Sequence, residues 1–137
     1  MPKISSVLLV DDDSTTNFLN ELMLRKMAVA DKLLIARNGK EALDVLLEHC
    51  ENPDSSCPML VFLDIKMPVM NGFEFLEVYA QLPWAQQRNT VIVILTTSLH
   101  DRDTERAQRL HVADFISKPL TSEKVTTILE KHFSQMH

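Results

Sequence analysis

Short apolar runs alternate along the chain with stretches in which apolar residues recur every three or four positions. The runs are VLLV (7–10), LLIA (33–36), MLVFL (59–63), VIVIL (91–95) and the short FIS (115–117). Each has the length of a strand, and strands alternating with helical stretches build βα units around a parallel sheet. The first, third and fourth runs are apolar throughout, which predicts strands covered on both faces; the second and fifth read as edges. Helical spacing is set by Phe18, Leu19, Leu22, Met23 and Met27, then Ala42, Val45 and Leu46, then Phe73, Leu76 and Ala80, and last Val125, Ile128, Leu129 and Phe133. The fourth stretch, DRDTERAQRL (101–110), offers only Ala107 and Leu110, with Leu99 just before it, so it is expected to bury little and to be loosely held. The expectation is one α/β domain with its core at about residues 4–133, five strands and five helices, and no effector domain.

Composition narrows the classes. A chain of 137 residues that is 45% apolar and 24% charged can bury a sizeable core, which argues against a disordered or membrane-spanning protein. The opening MPKISS lacks a charged region followed by a long apolar run, so no targeting segment is expected. Cys50 and Cys57 have neither metal-ligand spacing nor the density of a disulfide scaffold, and are read as plain thiols in a reducing cytoplasm. A net charge of −5 without a basic cluster argues against direct DNA binding, and no segment suggests membrane insertion.

In an open parallel sheet, ligands bind outside the carboxyl ends of the strands. Just past those ends stand Asp11, Asp12 and Asp13, then Asp64, then Thr96 and Thr97, then Lys118; the second strand offers only Arg37 and Asn38. Acids from two neighbouring strand ends make a hard, oxygen-rich seat suited to Mg²⁺, with Mn²⁺ as a substitute. Asp13 stands immediately before a helical stretch and is read as its N-cap, a role Asp11 and Asp12 cannot share. With Gly39 and Gly72 as the only glycines, no phosphate-binding glycine loop can be written. A phosphate here would be held by metal, Lys118 and the Thr96 hydroxyl, and Asp64 would be a competent nucleophile toward phosphorus.

These motifs resemble the receiver domains of two-component response regulators over nearly the whole chain. The most specific element is LDIKMPVMNG, in which Asp64 is followed by Met67-Pro68 and Asn71-Gly72; LLVDDD, Thr96 and DFISKP complete it. The resemblance implies a flavodoxin-like, doubly wound sheet of order 2-1-3-4-5. It also implies that Asp64 is the phosphoacceptor, and that Asp11, Asp12, Asp64 and the backbone carbonyl of Lys66 hold Mg²⁺. Lys118 would pair with phosphoryl oxygens, Thr96 would move to hydrogen-bond them, and Phe115 would be the switch aromatic that follows. The Lys118-Pro119 bond is a candidate for cis. The implied function is a signalling switch rather than a turnover enzyme. Its phosphoryl group would come from a sensor histidine kinase or a histidine phosphotransfer protein. Separately, the loosely held fourth stretch, between the strand ending at Thr96 and the one carrying Phe115, leads to the expectation that a downstream protein, unknown from the sequence, reads the switch on the face of the fourth helix, the Phe115 strand and the last helix, with Arg102, Arg106 and Arg109 available to an acidic surface.

Departures from the family pattern are Thr97, where a smaller residue is usual, and His111-Val112 before ADF; Lys66 and Ser98 stand at positions of wide variation. The five histidines fall outside the strand-end motifs, and His132 continues the apolar stripe of the last helix. DDDST also fits the D-x-D-x-T pattern of haloacid-dehalogenase-like phosphatases, with Asp11 as nucleophile and Asp13 as general acid. A receiver-like interaction module that is never phosphorylated is the remaining alternative.

Overall fold

The computed structural model describes residues 4–50, 57–82, 90–97, 101–110 and 112–133, with residues 101–104 described for backbone only. Ser98, Leu99 and His111, and the side chain of Arg102, lie outside the described residues. The elements run β1 (Ile4–Val10), α1 (Ser14–Met27), β2 (Ala30–Ala36), α2 (Gly39–Cys50), β3 (Leu60–Asp64), α3 (Gly72–Ala80), β4 (Val91–Thr96), α4 (Asp101–Arg109), β5 (Asp114–Ser117) and α5 (Ser122–Phe133). All four strand pairings are parallel and the order is β2-β1-β3-β4-β5, the expected one.

The continuous apolar runs are explained by two cores, one on each face of the sheet. Successive residues of a strand point to opposite faces. Leu8, Val10, Val61, Leu63, Ile92 and Ile94 therefore pack with Ala42, Leu46, Phe73, Phe75, Leu76 and Ala107 of α2, α3 and α4. Val7, Leu9, Leu60, Phe62, Val93 and Leu95 pack on the other face with Leu24 of α1 and Val125, Ile128, Leu129 and Phe133 of α5. Among the described residues no helix is long and apolar enough to cross a membrane.

Three local expectations are corrected. In α1, Phe18 (61% exposed), Leu19 (56%) and Leu22 (40%) face outward, while Asn17 and Leu24 are buried. The spacing identifies a helix, but the face turned inward is set by anchors: Asn17 Nδ2 donates to the carbonyls of Asp11 (2.8 Å) and Ala36 (3.5 Å). Ala80, at the end of α3, is exposed as well. Cys50 and Cys57 are joined in a disulfide rather than being plain thiols, which removes the argument from thiols to a reducing compartment. The bond links the end of α2 to the approach to β3, and whether the two cysteines meet there depends on where α2 ends relative to β3, which the spacing does not show. Finally, His132 does not simply extend an apolar stripe. Its Nε2 lies 3.5 Å from Asp114 Oδ2, beside the Lys131 ammonium at 3.0 Å. Burial works against the Asp114 charge, but Lys131, the Phe115 N–H and His132 outweigh it and hold its pKa below the usual carboxylate range.

Candidate functional site

At the carboxyl end of β1 the ladder stops at Val10 and the chain turns toward α1. Asp11 Oδ1 accepts the Asp13 N–H (2.9 Å), which folds the acidic run back on itself and leaves Asp12 projecting outward, exposed. Asp13 caps α1 as expected, its Oδ1 accepting from the N–H groups of Thr15 (2.9 Å) and Thr16 (3.4 Å). Those bonds, the one from Thr15 foremost, hold its pKa below the ordinary value. Committed to the helix end, this carboxylate is poorly placed as a general acid.

Asp64 closes β3, in the middle of the sheet, and is 8% exposed. The loop beyond it is shaped by three devices. Asn71 and Glu74 form a reciprocal capping box at the start of α3. Val69 has φ 69, a left-handed conformation that is costly for a β-branched residue, at about 1–2 kcal/mol. Gly72 donates its N–H to Ile65 O (2.9 Å), and a Cβ there would lie 2.6 Å from the Asp64 carbonyl oxygen and 3.0 Å from Ile65 Cα. Both neighbours are backbone, so Gly72→Ala is expected to destabilise the fold by about 1–3 kcal/mol by displacing the Asp64 peptide. Denaturant unfolding that matched the wild type would show that this peptide gives way freely.

Lys118, just past β5, is what joins the two strand ends. Its N–H donates to Thr96 O (2.8 Å), and its Nζ lies 2.8 Å from Asp11 Oδ2 and 3.4 Å from Asp64 Oδ1. Burial opposes the Lys118 charge, yet the hydrogen bond to Asp11 and the fields of Asp64 and Asp11 outweigh it and raise its pKa. Asp64 goes the other way for a carboxylate: burial first, then repulsion from Asp11, raises its pKa against the pull of Lys118. Carboxylate oxygens of Asp11, Asp12 and Asp64 all lie within 4.8 Å of one another, two of these residues buried and one exposed. Such a donor set fits Mg²⁺, which takes carboxylate oxygens on one side and keeps water on the other.

Asp11, Asp12, Asp64 and Lys118 thus converge. Thr96, buried at the end of β4, pairs in register with Ser117, one residue before Lys118. Lys66 and Thr97 are exposed, and Phe115 is half-buried on β5 against the core shared with α2, α3 and α4. Arg106 is not free for an acidic partner as expected: it pairs with Glu77 and stacks 4.6 Å over the Phe73 ring. Asn17, which supports Asp11 from below, has no signal in the sequence around it, whereas the Asn71/Glu74 box does have one, N-x-x-E before an apolar run being a legible helix start.

The chain matches the response regulator receiver domain over residues 7–130. It is 32% identical over 126 residues to the probable methanogenesis regulatory protein FilR2 of Methanothrix harundinacea, covering 91% of this chain and 79% of that one. A solved two-component response regulator from Cytophaga hutchinsonii superposes with a TM-score of 0.84 at 30% identity, covering 97% and 99% of the two chains. The phosphorylated cyanobacterial phytochrome response regulator RcpA gives a TM-score of 0.77 at 27% identity, covering 97% and 96%.

Proposed function

The chain belongs to the response regulator receiver family, and from that premise we propose that it takes a phosphoryl group onto Asp64 from a phosphohistidine on a sensor histidine kinase or a phosphotransfer protein. The observation that carries this reading is the position of Lys118 Nζ between Asp11 and Asp64, with Asp12 alongside. As a family of signalling domains, receivers are switches and not enzymes that turn over a separate substrate. In this one, an Asp64 oxygen attacks phosphorus in line as the donor P–N bond breaks, and the imidazole leaves with the electron pair and takes up a proton. Asp64 thereby becomes an acyl phosphate, and loss of the group to water restores the carboxylate.

Asp11, Asp12, Asp64 and the Lys66 backbone carbonyl would hold Mg²⁺, or Mn²⁺ in its place, and the cation would neutralise phosphoryl charge. Lys118, already 3.4 Å from Asp64 Oδ1, pairs with a non-bridging phosphoryl oxygen once the Asp64 carboxylate carries the phosphoryl group. Thr96 hydrogen-bonds a second oxygen, and Phe115 follows it inward. Positioning and charge neutralisation supply most of the rate, as in phosphoryl transfer generally. The donor docks on the outward apolar face of α1, where Phe18, Leu19 and Leu22 begin five residues beyond the capping Asp13. The switched state is read on the face of α4, β5 and α5, where added charge at Asp64 is felt through Thr96 and Phe115.

Incubation with Mg²⁺ and acetyl phosphate should add one phosphoryl group by intact mass, lost to hydroxylamine and absent when EDTA replaces the metal. Borohydride reduction followed by peptide mapping should place it on Asp64. A label on Asp11 would instead establish the phosphatase reading, and no label at all the unphosphorylated module.

A further inference from the structure

Lys124 occupies the first turn of α5, where a cation opposes the helix dipole. Its position there is explained by what its ammonium does. Nζ donates to Ser117 O at 2.7 Å and to Pro119 O at 2.9 Å, the two carbonyls on either side of Lys118. The geometry follows from the strand. Lys118 gives its own N–H inward to Thr96 O (2.8 Å), and alternate residues of a parallel strand point their backbone groups to opposite sides. The Ser117 carbonyl therefore faces off the sheet, where β5, an edge strand, has no neighbour among the described residues to receive it, and Pro119, past the end of the strand across the cis Lys118-Pro119 bond, presents its carbonyl to the same ammonium. Lys124 takes the place of that neighbour.

We infer that Lys124 is a positioning residue for the phosphoryl site: it clamps the β5–α5 connection from outside while Thr96 holds it from inside, so that Lys118 is presented to Asp64 in one place. The inference rests on the receiver reading of Asp64 and Lys118. It assigns Lys124 no contact with the phosphoryl group, because its ammonium is spent on the two carbonyls. Charge-assisted bonds to two acceptors fix a connection otherwise held by the Lys118 N–H on Thr96 O and by the buried Leu120. Asp11 and Asp12 follow β1 and Asp64 closes β3, so none of the three acids lies on the connection that Lys124 clamps.

That separation supplies the test. Beryllofluoride, which mimics the phosphoryl group on a carboxylate, and Mg²⁺ alone are titrated calorimetrically into the wild type, Lys124→Met and Lys124→Arg. Lys124→Met keeps the aliphatic stem and removes the donor. It is expected to weaken beryllofluoride binding at saturating Mg²⁺ by about tenfold, the scale of one lost charged hydrogen bond. Its affinity for Mg²⁺ alone should match the wild type, and Lys124→Arg should recover most of the loss. Equal beryllofluoride affinity in wild type and Lys124→Met overturns the inference while leaving the receiver reading intact. A parallel loss of Mg²⁺ affinity, or a loss that arginine does not recover, also overturns it, since either shows a general structural role. Failure of the wild type to bind beryllofluoride overturns the receiver reading itself.

Discussion

Asp64→Asn is expected to abolish phosphoryl uptake from acetyl phosphate and, in metal-free buffer at neutral pH, to raise the melting temperature. The first effect follows because an amide oxygen is not a nucleophile toward phosphorus at a useful rate. The second follows from the balance at the site. Burial and the Asp11 charge raise the Asp64 pKa despite the ion pair with Lys118, so repulsion and desolvation together exceed the attraction. A carboxyl whose folded pKa lies above its unfolded value binds its proton more tightly when folded. Its contribution is therefore most favourable at acid pH and becomes a penalty as pH rises from the unfolded pKa through the folded one. Two carboxylates about 4 Å apart repel by about 1 kcal/mol in water and by about 4 at an intermediate effective dielectric, and Lys118 cancels part of this. A net gain of about 1 kcal/mol corresponds to roughly 3–5 °C for a chain of this size. Calorimetry across pH should show the variant's advantage shrinking on acidification; a lower melting temperature at neutral pH would mean that Asp64 stabilises the metal-free fold.

Lys118→Met is expected to act in the opposite direction and more strongly. Its Nζ stands between Asp11, 3% exposed, and Asp64, 8% exposed, and removing it leaves two buried acids facing each other with no counter-charge. Deleting one member of a buried charge cluster costs about 3–5 kcal/mol, here toward the lower figure because a fifth of the lysine side chain is in water. The melting temperature should fall by roughly 10 °C in metal-free buffer. Millimolar Mg²⁺ should restore part of it, since a ligand of the folded state alone stabilises by mass action. Acidification should restore part too, as Asp64 takes up a proton. In the wild type the raised Lys118 pKa makes its contribution fully present below the unfolded lysine value and lost only as pH climbs through the folded one, so it is constant across the neutral range. A variant as stable as the wild type without metal would show that the two acids are solvated well enough to need no partner.

The sheet was legible in the sequence because runs such as VLLV and VIVIL have no polar position for solvent, and only a strand between two helical layers satisfies that pattern. The acids, Thr96 and Lys118 were legible as a set because strand ends of a parallel sheet converge at one edge whatever the intervening loops do. The Asp13 cap was equally local: a carboxylate before a helix has the free N–H groups of its first turn within reach.

Orientation and partnership were decided only by the tertiary structure. Periodicity gave α1 an apolar stripe of which Met23 and Met27 meet the core, whereas Phe18, Leu19 and Leu22 stand in solvent on a helix anchored by the bond from Asn17 to Asp11 O. Seven residues of separation carried no information about whether Cys50 and Cys57 meet, since that depends on where α2 ends relative to the start of β3. Arg106 read as a charge available to an acidic partner and Lys124 raised no expectation; one found Glu77 and the Phe73 ring, the other the Ser117 and Pro119 carbonyls. Local propensity and hydrophobic pattern act over a few residues and fix what each element is. Which face it turns inward, and which charge meets which acceptor, is settled when distant elements compete for the same space, and that competition has no signature in the sequence around any single residue.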